Sequence, residues 1–161
     1  MFKKILIGLL ILGLVAGVGI ALITYFAVDS ALDEIVKEKE PQLRQYVQLD
    51  EAAQNQFVLE HGEEWMKIIM KESAPEDKAE LELAQKANQD PEVQKAFIQF
   101  GRSIFAKGVM RSEAIGKELA ADAKAKYQAE ADKFTDNLKV YGDVLETTKK
   151  RILGELLEDS K

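Results

Sequence analysis

Residues 5–28 read ILIGLLILGLVAGVGIALITYFAV, an uncharged run in which only Thr24 and Tyr25 carry polar side-chain groups. As a helix rising about 1.5 Å per residue it spans roughly 36 Å, more than the ~30 Å hydrocarbon core of a bilayer. Lys3 and Lys4 precede the run, and Asp29, Asp33 and Glu34 follow it. Basic residues are retained on the cytoplasmic side, so this arrangement predicts a single-pass signal-anchor in the cell membrane. The N-terminus is then cytoplasmic and residues 29–161 lie outside, in the periplasm or extracellular space. Two parts follow: an anchor over residues 1–28 and an acidic helical domain over residues 29–161.

A cleaved signal peptide is the alternative. Gly19-Ile20-Ala21 or Val28-Asp29-Ser30 would serve as the small-x-small site. Cleavage after Ala21 leaves the apolar segment 22–28 at the mature terminus, and cleavage after Ser30 demands an unusually long apolar core. Both points favour the uncleaved anchor. Within the run, Gly13, Gly17 and Ala21 fall at i, i+4 and i+8 on one helix face. Such a stripe lets a second membrane helix approach closely, so it is the expected membrane contact.

Beyond the run the balance of charge changes. Removing Lys3 and Lys4 from the 22 basic residues leaves 20 against 28 acidic ones, a net charge of −8. That excess argues against nucleic acid and against a domain lying flat on anionic lipid. The chain has no cysteine, so helix packing alone must hold the exported domain together.

From Asp29 onward the sequence predicts an all-α fold, rich in Ala, Glu, Lys, Gln and Leu and without strand alternation. Asp29 or Ser30 can cap a first segment, and Pro41 places a break near Glu40. Asp50 opens a new helix, or the helix runs through it. Ser73-Ala74-Pro75-Glu76 is a capping-box start for a polar helix over about 74–88. Asp90-Pro91-Glu92 starts the greasiest helix outside the membrane run, with Val93, Phe97, Phe100 and Ile104 at 4-3-4 spacing. A helix apolar on most sides is the buried one, so residues 93–105 are the expected centre of the core, ending near Gly108.

Ser112 can cap a long final helix, from Glu113 to about Glu158. At about 45 residues it would reach nearly 70 Å, so it either projects as a stalk or breaks near Gly142. Ala131, Phe134, Leu138, Tyr141, Leu145, Thr148 and Ile152 follow a 3-4 alternation, three heptads of an a/d seam. The seam predicts either packing along a bundle or a self-associating coiled coil. The whole is therefore an irregular bundle of five or six helices with a long C-terminal helix.

Catalytic equipment is sparse. His61 is the lone histidine, which excludes Cys/His zinc sites and the paired Glu-x-x-His di-iron site. Glu60, His61 and Glu64 could hold a surface metal, though a solvated polar turn accounts for them. Ser103 has no nucleophile elbow, and Gly116-Lys117 has no phosphate-loop pattern. We therefore expect no enzyme, no cofactor and no metal. Trp65, Met66 and Met70 form a candidate interface of aromatic and flexible thioether side chains. Phe134, Leu138, Tyr141, Leu145 and Ile152 form a second along the seam. The phenylalanines at 97, 100 and 105 line an apolar pocket or, more simply, fill the core. The expected role is protein–protein interaction: a membrane-anchored scaffold, subunit or accessory of a membrane-associated complex, with a protein partner or a second copy. A ligand-binding or sensory bundle outside the membrane is the alternative, as is a secreted helical protein if the run is cleaved.

Overall fold

The computed structural model describes residues 31–70 and 78–158, and among them every regular element is a helix. Residues 31–38 form α1. Then follow α2 (Glu40–Val47), α3 (Glu51–Met70), α4 (Lys78–Asn88) and α5 (Pro91–Arg111). The chain ends in α6 (Glu113–Glu118), α7 (Ala121–Asp132) and α8 (Phe134–Glu158). The membrane run at residues 5–28, with the stripe Gly13, Gly17 and Ala21, lies outside the described residues. So does the capping box at residues 73–76. No helix among the described residues is long and apolar enough to cross a membrane.

Local chemistry sets most boundaries. Lys39 bends the chain ahead of Pro41, which occupies the first turn of α2 where its missing N–H costs nothing. Asp50 Oδ1 accepts from the Ala53 N–H at 2.8 Å, so Asp50 does open α3. Asp90 Oδ1 accepts from the Glu92 N–H at 2.8 Å, with Pro91 beside it in the first turn of α5. Ser112 Oγ accepts from the Ile115 N–H at 3.3 Å, and Ser112 both ends α5 and starts α6.

The greasy helix is the centre of the bundle. α5 packs against α2, α3, α4, α6, α7 and α8. It divides two aromatic clusters. On one side Phe105 lies 5.0 Å from Tyr46, 5.4 Å from Phe57 and 4.8 Å from Trp65, centroid to centroid. On the other, Phe100 lies 5.4 Å from Phe134 and 5.7 Å from Tyr141, while Phe97 is 5.6 Å from Tyr141. Such tilted and stacked pairs contribute about 0.5–1.5 kcal/mol each beyond the area they bury. Gly108 does not end α5. A Cβ there would meet Leu43 Cδ2 at 3.1 Å and Trp65 Cζ3 at 3.3 Å, so the glycine makes room for both side chains and the helix runs on to Arg111.

The final segment departs from a single rod. It divides at Leu119–Ala120, where both residues are extended, and kinks at Lys133. The expected break at Gly142 does not occur, and α8 runs through it without interruption. Nor does the segment project as a stalk. α8 runs antiparallel to α5: Arg151 pairs with Asp90 at 2.6 Å, and Asn137 Nδ2 donates to the Gln99 carbonyl at 3.1 Å. α4 packs on α8 too, and Arg151, Ile152, Glu155 and Leu156 of α8 line the cleft between them. The division has a packing cause. Ile115 of α6 and Tyr127 and Ala131 of α7 are all buried, and the turn at 119–120 redirects the chain so that both short helices reach the core.

Candidate functional site

Two places in the bundle carry more than ordinary packing. The first is the seat of α1. Leu32 is 0% exposed and Ile35 2%, and with Val36 they belong to the main hydrophobic core. Asp33 pairs with Arg111 at the C-terminal end of α5, 2.7 Å apart. Lys39, just beyond α1, reaches Glu64 of α3 at 2.6 Å. The Lys39 hydrogen bond draws the Glu64 carboxyl below its usual range, and the same bond raises the Lys39 ammonium. Thus α1 is held by its buried apolar side chains and by Asp33, and the Lys39–Glu64 pair fixes the bend that follows it.

The second is a polar cluster buried where α2, α3, α5 and α7 meet. Gln54 is 1% exposed, and its Nε2 donates to the Tyr46 carbonyl and to Tyr127 Oη, both at 3.1 Å. Arg102 reaches across from α5. Its guanidinium donates to Glu51 at 2.9 Å, Asn55 at 3.1 Å and Glu130 at 2.5 Å. Burial raises the Tyr46 phenol strongly; the nearby Glu130 charge raises it further, while Arg102 opposes. Tyr127 is also raised, chiefly by burial. Both phenols are thereby held neutral well into the alkaline range. Gln54 Oε1 and Glu130 Oε2 are buried without a hydrogen-bond partner among the described residues, and Tyr46 Oη, likewise buried, faces the Arg102 guanidinium.

The side chains singled out from the sequence fall mostly inside the fold. Trp65 is fully buried on Phe105, and its Nε1 donates to Gln42 Oε1 at 2.7 Å. Met66 packs partly buried against the core, and the side chain of Met70 lies outside the described residues. Phe134 and Tyr141 are core residues, with Leu138 and Leu145 packed partly buried against the same core and Ile152 half-buried. The first half of the a/d seam therefore meets the chain's own α5. Phe97, Phe100 and Phe105 are packed against neighbouring rings rather than around a space.

His61 rests against Phe57 with ring centroids 4.3 Å apart. Among the described residues no group of three or more His, Asp or Glu side chains is placed to hold a metal. Ser103 Oγ donates to the Phe100 carbonyl at 2.6 Å, a local bond back into its own helix. An open cleft of about 360 Å³ lies between α4 and α8, and its guanidinium, Arg151, is already bonded to Asp90 and Glu155.

The polar cluster was not read from the sequence, although one signal for it was there. Gln54 lies three and four residues before Phe57 and Val58, on the apolar stripe that continues to Trp65 and Ile69. A polar residue on such a stripe must find partners inside. No family model matches the chain, and neither does any curated protein or solved structure.

Proposed function

We propose that this protein is a non-enzymatic, single-pass membrane-anchored scaffold that presents a helical bundle outside the membrane to a protein partner or a second copy. Residues 5–28 are the anchor in this reading, the N-terminus is cytoplasmic and residues 29–161 are exported. The observation that supports it is the seat of α1. Asp29 and Ser30 alone separate the uncharged run from Ala31, and Leu32 and Ile35 are already core residues. A domain joined through two residues stays close to the bilayer, as a membrane-anchored scaffold requires. The C-terminal end of α5, with Arg111 on Asp33, then faces the membrane. The end with Asp90 and Arg151 lies about 30 Å from it, the length of a 21-residue helix.

The cysteine-free sequence makes the test direct. Single-cysteine variants Lys3→Cys and Ser160→Cys are treated in intact cells with a membrane-impermeant maleimide, and the protein is then purified in mild detergent for intact mass. The reading expects labelling of the Ser160→Cys variant alone, a full-length mass and a co-purifying protein or a higher oligomer. Protection of both variants would place the domain inside. A mass shortened by the first 21 or 30 residues would make it a secreted soluble bundle.

A further inference from the structure

We draw no further inference here: the strongest candidate, the open cleft between α4 and α8, carries nothing, because its Arg151 guanidinium is already bonded to Asp90 and Glu155 and nothing in the structure shows what covers the exposed Leu156 beside it.

Discussion

A Cβ atom built on Gly101 would stand 2.2 Å from Cγ1 of Val58. α3 and α5 therefore cross with the backbone of one against a side chain of the other, a separation only glycine permits. Gly101→Ala should cost about 1–3 kcal/mol, the usual range for overpacking a filled core. The clash is specific to one methyl, so Val58→Ala in the same chain should recover part of the loss. Chemical denaturation of the two single variants and the double variant reads the coupling, expected at about 0.5–3 kcal/mol. Strictly additive effects would show that the helices separate freely at this crossing.

Gly142 is the opposite case. Nothing stands within 4 Å of a Cβ placed there, and the residue lies inside the continuous helix α8. Gly142→Ala should stabilise the protein by about 0.5–1 kcal/mol, because alanine restricts the unfolded chain without strain in the folded one. A lower melting temperature would contradict the uninterrupted helix.

Arg102 holds Glu130 in the polar cluster with both side chains mostly buried. Arg102→Leu would leave that carboxylate without its cation, at a cost of roughly 2–3 kcal/mol, at or below the ~3–5 kcal/mol typical of a fully buried pair. Replacing both, Arg102→Leu with Glu130→Leu, should cost clearly less than the single change. Equal losses in the two variants would mean that the ion pair is not what Arg102 contributes.

Tyr46 and Tyr127 set the alkaline limit. Unfolded phenols ionise near pH 10, whereas burial raises both folded phenols above their ordinary value. Above about pH 10 the unfolded state therefore binds fewer protons, and stability falls as pH rises, by up to about 1.4 kcal/mol per pH unit for each phenol. This contribution is intact at neutral pH. Urea midpoints measured between neutral and strongly alkaline pH should show that decline, and Tyr46→Phe should make it shallower. An unchanged slope in the variant would show that Tyr46 ionises as freely folded as unfolded.

Truncating Leu32 probes the seat of α1. Leu32→Ala removes a fully buried side chain and should cost about 2–5 kcal/mol. Asp33→Ala, whose partner Arg111 lies on an exposed pair, should cost less than about 1 kcal/mol. Hydrogen exchange at residues 31–38 should rise in the first variant and hardly in the second.

The central helix was legible because its evidence is local. Asp90 and Pro91 announce the start, and Val93, Phe100 and Ile104 fall on a helical stripe that α5 does bury. The division of the last segment was not legible, since Leu119 and Ala120 carry no breaker. Only the need to bring Ile115 and Tyr127 to one core turns the chain there. Gly142 misled for the converse reason: glycine weakens a helix locally, and the packing of Tyr141 on Phe97 and Phe100 overrides it. The polar cluster was hidden because Glu51, Gln54, Arg102 and Glu130 each suit a solvated helix face. Their convergence comes from three helices, α3, α5 and α7, and is invisible to any single window.

The placement of the aromatic rings has an optical consequence. The lone tryptophan, Trp65, sits in the cluster with Tyr46, Phe57 and Phe105, while Tyr141 and Phe134 lie across α5. Its fluorescence is therefore a gauge of one half of the bundle, whereas circular dichroism sums both. If the C-terminal half of α8 peels from α4 and α5 before the rest melts, ellipticity will fall while the tryptophan emission stays unchanged. The interval between the two curves measures how tightly α5 couples the two halves.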